Sequence, residues 1–226
     1  MIIKDKTKLE KKLFLRDPEL TELGRNIIDQ SIKIIDKFGF EDFTFRKLAV
    51  ELKSTEASIY RYFENKQRLF LYLITWYWSW VKYNIDFQII KLRDPKKKLK
   101  AIIKVLCSSS QDDPSTAHID ESILCRIVIT QSDKTYLTSS IEQDNKDGLF
   151  EAKKEVCNKI ASVISMINPG YPNPVSLAIS IINIVHKQLF YSVFLKDFTD
   201  LTISGNDPRQ LEAFIENLIF STLKKA

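Results

Sequence analysis

Residues 43–69, FTFRKLAVELKSTEASIYRYFENKQRL, decide the fold that we expect for this chain. Thr44 is a typical helix N-cap, and apolar residues follow it at helical spacing. Lys53 and Ser54 interrupt that apolar pattern, and Thr55 then offers a second N-cap. The stretch therefore predicts two short helices joined by a tight turn, which is a helix-turn-helix.

The second helix of this pair is very short. Only Ile59, Tyr60 and Phe63 have the spacing to pack this helix against the core. The residues at the start of its exposed face are therefore small or polar. Asn65 can cap a third helix whose first residue is Lys66. Backbone N–H groups and a cation then gather at one helix N-terminus, where an anion such as a DNA phosphate fits.

This stretch resembles the signature of TetR-family transcriptional regulators, a run of the form L-A…S-x-x-[ST]-[LI]-Y-x-[HY]-F-x-[NS]-K. The matching positions are Leu48, Ala49, Thr55, Ser58, Ile59, Tyr60, Tyr62, Phe63, Asn65, Lys66 and Leu69. The family usually has glycine and an apolar residue in the tight turn, where this chain has Lys53 and Ser54. We therefore expect either a left-handed conformation of Lys53, at some cost, or a reshaped turn.

The resemblance implies that these helices bind double-stranded DNA. The residues expected to reach base edges are Thr55, Glu56, Ala57 and Ser58. The residues expected to contact the DNA backbone, or to face it from the same helices, are Arg46, Tyr60, Arg61, Tyr62 and Lys66. Three of these residues have alternative roles. Glu56 can pair with Lys53 or Arg61 or can complement the N-terminus of its helix. Tyr60 can pack in the core, and Arg46 can form an exposed salt bridge.

Composition favours an all-α protein, because five glycines and seven prolines are too few turn residues for a fold of many strands. We predict a basic N-terminal arm at 1–18, a three-helix DNA-binding domain at 19–66, and a larger helical domain for ligand binding and dimerisation at 67–226, with about nine helices. The first helix should stop at Gly39. The basic residues of the arm are Lys4, Lys6, Lys8, Lys11, Lys12 and Arg16. The arm either follows DNA phosphates or is a solvated, frayed terminus.

The resemblance also implies an effector cavity in the larger domain. The residues expected to line it are Trp76, Trp80, Tyr83, Phe87, Cys107, His118, Cys125 and Met166. The sequence spacing does not bring a group of charged residues together in this domain. The expected effector is therefore a small apolar or aromatic compound of unknown identity. Aromatic residues that only fill a core are the alternative.

The last two helices have more apolar surface than one core needs. The residues predicted at an interface between two copies are Ile182, Val185, Leu189, Val193, Leu211, Phe214, Ile215, Leu218 and Ile219. Pairing these helices across a two-fold axis would hide the surplus surface in a four-helix interface, and TetR-like proteins form homodimers in this way. The alternative is that a monomeric core buries both helices.

Other classes of protein have little support in the sequence. Neither His118 nor His186 belongs to an H-E-x-x-H zinc pattern, and no Gly-rich phosphate loop or nucleophile elbow occurs, so we expect no enzyme, no metal site and no cofactor. The three cysteines are widely spaced and read as core thiols. No secretory signal and no run of membrane-spanning length is visible, so we expect a cytoplasmic protein without a membrane partner.

The sequence therefore predicts a sequence-specific DNA-binding regulator. We expect a repressor that a small-molecule effector releases from a palindromic operator. The alternative is a helical interaction protein with the same fold but no specific operator.

Overall fold

The computed structural model describes residues 13–108, 119–135, 141–203 and 207–224. These residues form ten α-helices and three short 3-10 helices, and no strand occurs among them. The α-helices are α1 Glu22–Asp42, α2 Phe45–Glu51, α3 Glu56–Tyr60, α4 Lys66–Ile89, α5 Pro95–Cys107, α6 Glu121–Gln131, α7 Ile141–Lys146, α8 Glu151–Ile167, α9 Pro174–Phe194 and α10 Arg209–Lys224. The predicted all-α class is confirmed.

The helices pack into two compact units. Of the described residues, unit 1 contains 13–77, 119–135 and 141–151, and unit 2 contains 78–108, 152–203 and 207–224. The first half of α4 therefore belongs to unit 1 and its second half to unit 2. This division follows packing, whereas the boundaries at 18 and 66 concern function and stay a prediction.

In unit 1, α1 begins and ends at residues that the sequence marks. The Thr21 hydroxyl accepts a hydrogen bond from the Gly24 N–H at 3.0 Å, as an N-cap does. At the other end, Gly39 has φ 80° and ψ 162°, which interrupts the helical geometry three residues before the end of α1. Since this backbone conformation is open almost only to glycine, Gly39 produces the break that the sequence predicted.

Unit 1 also contains α6 and α7 beside the predicted DNA-binding helices. The Arg126 guanidinium of α6 binds both carboxylate oxygens of Asp36 on α1, at 2.7 and 2.8 Å. Arg68 of α4 donates to Asp144 of α7 at 3.2 Å. A bidentate arginine–carboxylate pair fixes orientation as well as distance, so α6 is held in register along α1.

The end of the predicted basic arm packs onto unit 1. Leu13 and Phe14 join an apolar cluster with Leu71 and Leu149. The next residue, Leu15, donates its backbone N–H to the Tyr62 carbonyl at 2.8 Å. The predicted arm residues Lys4, Lys6, Lys8, Lys11 and Lys12 lie outside the described residues, so their role stays a prediction.

Unit 2 is built around α9. By length and composition alone, α9 would be long and apolar enough to cross a membrane, although no such run was expected from the sequence. Its residues Ala178, Ile181 and Ile182 are buried in unit 2, which is the pattern of a core helix. We conclude that α9 is a core helix and not a membrane span. The predicted core thiols are also confirmed, since Cys107, Cys125 and Cys157 are all buried.

Most of the residues predicted at a dimer interface instead form the core of unit 2. The buried ones are Ile182, Val185, Leu189, Leu211, Ile215 and Ile219. Because α10 packs against both α5 and α9, their inward faces are already covered and are not available to a second copy. Only Val193, Phe214 and Leu218 of the predicted set are exposed, at 59, 39 and 39 %.

Gly24 allows a close approach between α1 and the short 3-10 helix Pro18–Leu20. A Cβ added at Gly24 would overlap the Pro18 carbonyl oxygen and would lie 2.6 Å from the Pro18 Cα. Both obstacles are backbone atoms, so the neighbouring turn has to move to admit a side chain.

We predict that Gly24→Ala lowers the free energy of unfolding by about 1–2 kcal/mol, because the overlap outweighs the gain in helix propensity. The measurement is urea unfolding followed by circular dichroism. Asn26→Ala, at an exposed position of α1, is the matched control and should change stability by less than about 0.5 kcal/mol. A stabilised Gly24→Ala variant would contradict the close packing of Pro18.

Candidate nucleic-acid interface

The two N-caps that define the helix-turn-helix are present in the structure. The Thr44 hydroxyl accepts from the Lys47 N–H at 3.2 Å, and the Thr55 hydroxyl accepts from the Ser58 N–H at 3.3 Å. Helix α3, which Thr55 caps, has only five residues. A helix of this length is not stable by itself, so its position depends on tertiary contacts.

The turn between α2 and α3 takes the first of the two expected forms, with a left-handed residue at Lys53. Lys53 has φ 49° and is the one non-glycine residue with a positive φ in the described chain. Its N–H donates to Val50 O at 3.1 Å, and the Ser54 N–H donates to Ala49 O at 2.9 Å. This pair of hydrogen bonds is a Schellman motif, which usually has glycine at the left-handed position.

We predict that Lys53→Gly raises the free energy of unfolding by about 1 kcal/mol, because glycine adopts positive φ without steric cost. Lys53→Ala is the control: it removes the same charge but keeps the Cβ, so it should bring no stabilisation. Thermal and urea unfolding of the three proteins measure the difference. Equal stabilities of the glycine and alanine variants would show that the conformation of Lys53 is not strained.

The structure exposes most of the predicted DNA-binding side chains on α2 and α3. The exposed residues are Arg46, Thr55, Glu56, Ala57, Tyr60 and Arg61. Within the described part of the chain, neither Arg46 nor Glu56 forms an ion pair, but Glu56 lies in the first turn of α3, where its charge complements the helix N-terminus. Tyr60 is 48 % exposed and also packs edge-on against Phe45, with ring centroids 5.0 Å apart.

Two further features affect what α3 can present. The hydroxyls of Thr55 and Ser58 lie 2.9 Å apart and are hydrogen-bonded to each other, and Ser58 is half-buried. A DNA base edge has to compete with the hydrogen bond between Thr55 and Ser58, whereas the side chains of Glu56 and Ala57 are exposed and accessible. The exposed Lys53 adds a cation in the turn before α3, where the sequence pattern indicated only a turn residue. The family usually has glycine and an apolar residue in this turn, so the charge of Lys53 could have indicated a DNA contact from the sequence.

The position of Tyr62 differs from the prediction. Tyr62 is 2 % exposed, and its hydroxyl lies 2.7 Å from the Thr21 hydroxyl at the N-cap of α1. A side chain buried in this way does not reach a phosphate. Tyr62 instead connects the segment after α3 to the beginning of α1, and the Arg16 guanidinium lies 5.4 Å from its ring centroid.

The Lys66 ammonium also has a different role from the predicted phosphate contact. Its Nζ donates to the carbonyl oxygens of Phe40, Glu41 and Phe43 at 3.2, 2.9 and 3.2 Å. A lysine has three N–H donors, so these three bonds use all of them. We call this arrangement the Lys66 clamp. It places a cation at the negative end of α1, where the unpaired carbonyls of a helix gather.

The N-terminus of α4 has the predicted N-cap and free N–H groups, but not the predicted cation. The Asn65 carboxamide oxygen accepts from the Arg68 N–H at 2.9 Å, as expected of an N-cap. The first backbone N–H groups of α4 therefore remain a site for an anion, while the ammonium of its first residue points to α1.

We predict that Lys66→Met lowers the free energy of unfolding by about 1–3 kcal/mol, because three carbonyls lose a charged donor. The control is Lys47→Met, since the Lys47 ammonium donates to one carbonyl, Asp42 O, at an exposed position. That control should lose less than about 1 kcal/mol. Urea unfolding measures both, and equal losses would show that the clamp adds no stability.

The residues predicted to line a ligand cavity are divided between the two units. Trp76 and Cys125 belong to unit 1, and Trp80, Tyr83, Phe87, Cys107 and Met166 belong to unit 2. Tyr83, Phe87 and Met166 are 50, 66 and 55 % exposed, so they face solvent and do not line an enclosed cavity. Trp76, Trp80, Cys107 and Cys125 are buried. His118 lies outside the described residues.

Comparison with known proteins confirms the resemblance noted in the sequence. Residues 27–73 match the family model described as "Bacterial regulatory proteins, tetR family". A search of curated proteins gives no significant match. The matched segment includes most of α1, all of α2 and α3, and the start of α4, so the helix-turn-helix described above lies within the part of the chain that is similar to this family.

Solved structures share the fold over most of the chain. AibR, in complex with isovaleryl coenzyme A and operator DNA, is 15 % identical, with 87 % of this chain and 97 % of AibR covered and a TM-score of 0.63. The fatty acid degradation regulator FadR from Bacillus halodurans is 19 % identical, with 88 % and 94 % covered and a TM-score of 0.62. The ketosteroid regulator KstR2 of Mycobacterium tuberculosis is 11 % identical, with 87 % and 94 % covered and a TM-score of 0.60. The chain has the fold of TetR-family transcriptional regulators.

Proposed function

We propose that this protein is a homodimeric, sequence-specific DNA-binding repressor that a small-molecule effector releases from a palindromic operator. The observation that carries the proposal is the exposed edge of α3, held on a buried support. Ile59 and Phe63 have no exposed surface, whereas Glu56, Ala57 and Arg61 face solvent. A short, anchored helix with small residues at its start is suited to enter a major groove.

Each exposed side chain of this edge has a chemical role toward DNA. Ala57 is small enough to meet a thymine methyl group, and the Glu56 carboxylate can accept from cytosine N4. Arg46 on α2 and Arg61 after α3 are the cations placed to reach phosphates, and the Tyr60 hydroxyl can donate to one. The first N–H groups of α4 supply a further phosphate site. Lys66 and Tyr62 support this surface and do not touch DNA in the proposal.

A dimer follows from the surface of the last two helices. Val193, Phe214 and Leu218 are exposed apolar residues on α9 and α10, and Phe194 beside them is 48 % exposed. Pairing these outward faces with a second copy would remove them from water. Two recognition helices related by a two-fold axis would read a palindrome with half-sites about one helical turn apart, or a multiple of it. In this division residues 19–66 bind DNA, and 67–226 dimerise and bind the effector.

The effector belongs to the same proposal. The fold is shared with AibR, which binds isovaleryl coenzyme A together with operator DNA, and an apolar or aromatic body suits the many buried aromatic residues of this chain. Binding of such a ligand lowers affinity for DNA only if the ligand prefers the conformation that does not fit the operator. The proposal places the protein in the cytoplasm, where the DNA is, and assigns it no catalytic step.

The experiment that tests the proposal is selection of bound duplexes from a random library, repeated at two salt concentrations. Enrichment of a palindrome at both concentrations is expected for a sequence-specific dimer. Salt-sensitive retention without any enriched sequence would contradict the proposal and would favour a helical interaction protein with the same fold.

We predict that Arg46→Ala weakens binding to all duplexes and reduces the slope of log affinity against log salt by about one, because one phosphate contact is lost. Lys97→Ala, an exposed lysine of unit 2, is the control and should leave both quantities unchanged. Fluorescence anisotropy with the selected duplex measures them. An unchanged slope for Arg46→Ala would remove Arg46 from the interface.

We predict a different effect for Glu56→Ala on α3. The loss of one acceptor should relax base preference at one position of each half-site, by a factor of about 5–100 for the preferred base, and should leave the salt slope unchanged. The measurement is competition between the selected duplex and single-base variants of it. A uniform loss over all bases would count against a base contact by Glu56.

A further inference from the structure

The second half of α4 has apolar residues on two opposite faces. The inward face is formed by residues at intervals of four that are all buried, namely Val81, Ile85 and Ile89. The outward face is formed by Tyr83, Phe87 and Ile90, which are 50, 66 and 77 % exposed. We call these three exposed residues the α4 stripe, and all of them belong to unit 2.

The α4 stripe is continuous. The rings of Tyr83 and Phe87 stack on each other, with centroids 6.5 Å apart and planes 20° apart. The Ile90 N–H donates to the Asp86 carbonyl at 3.1 Å, so helical geometry continues to Ile90 and keeps its side chain on the same face. Core packing explains the inward face alone. A single exposed apolar residue is ordinary, whereas three in one stripe indicate a contact surface.

Basic residues follow the α4 stripe directly. Residues 87–98 contain five basic residues and one acidic residue, so their net charge is +4, against +5 for the whole chain. The acidic residue, Asp94, accepts from the Lys96 N–H at 2.8 Å and caps α5. Positive charge is therefore concentrated at the turn from α4 to α5.

Most of these cations form no ion pair. Within the described residues, the exposed cations without an ion pair are Lys91, Arg93, Lys96 and Lys97. We call these four residues the basic turn. Other lysines of unit 2 are paired, since Lys100 lies 2.6 Å from Glu216 and Lys82 lies 3.3 Å from Glu155. The charge of the basic turn is therefore available to an anionic partner.

The α4 stripe and the basic turn together fit a partner that is both apolar and anionic. The boundary between headgroups and acyl chains in an anionic bilayer has both properties at every point, so no matched shape is needed. Exposed aromatic rings beside lysines are typical of side chains at this boundary. Three of the four cations are lysines, which suit a diffuse negative field, whereas recognition of individual carboxylates on a protein favours the arginine fork.

We propose that the α4 stripe and the basic turn bind the surface of a bilayer that contains anionic lipids. The apolar side chains of the stripe enter the boundary region, and the cations of the basic turn lie among the lipid phosphates. A contact of this kind needs no membrane-spanning segment, and the expectation of no membrane partner rested on the lack of such a run in the sequence. This lipid contact does not depend on the proposed regulator function.

Sedimentation with vesicles tests the lipid contact, using the full-length protein without DNA. The vesicles contain phosphatidylcholine alone or with about 30 % phosphatidylglycerol, at about 0.1 M salt. Binding to the anionic vesicles should be at least about tenfold stronger, because each cation near an anionic surface contributes about fivefold. Equal binding to both kinds of vesicle, or binding to neither, would overturn the proposal.

A double variant tests the basic turn. Lys96→Gln combined with Lys97→Gln should weaken binding to anionic vesicles at least about tenfold. The matched control combines Lys33→Gln with Lys37→Gln, which removes two exposed lysines of α1 and therefore the same net charge. The control should change binding by less than about twofold. Equal losses in the two double variants would show a general effect of net charge and would overturn the role of the basic turn.

Ile90→Asn tests insertion of the α4 stripe. This variant should weaken binding at least about fivefold, because an apolar side chain is lost from the boundary region. Met166→Asn is the control, since Met166 is an apolar residue of α8 that is 55 % exposed, and its loss should leave binding unchanged. Equal effects of the two substitutions would overturn insertion.

An acidic segment of another protein is the alternative partner for this surface, and soluble polyglutamate distinguishes it from lipid. Polyglutamate at a charge concentration equal to that of the lipid should leave most of the protein on the vesicles, because it has no apolar phase. Complete release by polyglutamate would overturn the lipid surface in favour of the acidic segment. Failure of the regulator function appears elsewhere, as the absence of an enriched palindrome, so the two proposals fail independently.

Discussion

The structure of the helix-turn-helix depends on one half-buried ammonium. The Lys66 clamp joins the first residue of α4 to the carbonyls of Phe40, Glu41 and Phe43 at the end of α1. The Phe40 carbonyl also accepts from the Phe43 N–H at 3.3 Å, and a cation at the negative end of a helix adds a charged donor to all three carbonyls at short range. Since α2 and α3 lie between α1 and α4 in the chain, the clamp fixes both ends of the segment that carries the recognition helix.

The recognition helix needs such support because it has only five residues. A helix of one and a half turns has no stability of its own, so its orientation comes from its neighbours. Ile59 and Phe63 anchor it from below, and the Tyr62 hydroxyl holds the following segment against Thr21. Base readout requires side chains placed within a fraction of an ångström, so we regard these buried contacts as the source of specificity and the exposed cations as the source of general affinity.

Local features of this fold could be predicted from the sequence, and long-range ones could not. The caps at Thr44 and Thr55, the left-handed Lys53 and the break at Gly39 each depend on a few neighbouring residues, and all four are present. The role of Lys66 depends on carbonyls 23–26 residues away, which no local pattern shows. On α9, apolar residues occupy nearly every face, so periodicity does not identify the inward one, and most of the predicted dimer residues proved to be core.

The most direct measurement of this account compares Lys66→Met with the unchanged protein on two duplexes, the one enriched from a random library and a scrambled one, at a temperature where both proteins are folded. We predict at least a tenfold loss of affinity for the enriched duplex and no change for the scrambled one, because the clamp orients α3 and contacts no phosphate. Equal losses on both duplexes, with the salt slope reduced by about one, would show that the ammonium binds DNA directly and would contradict the account.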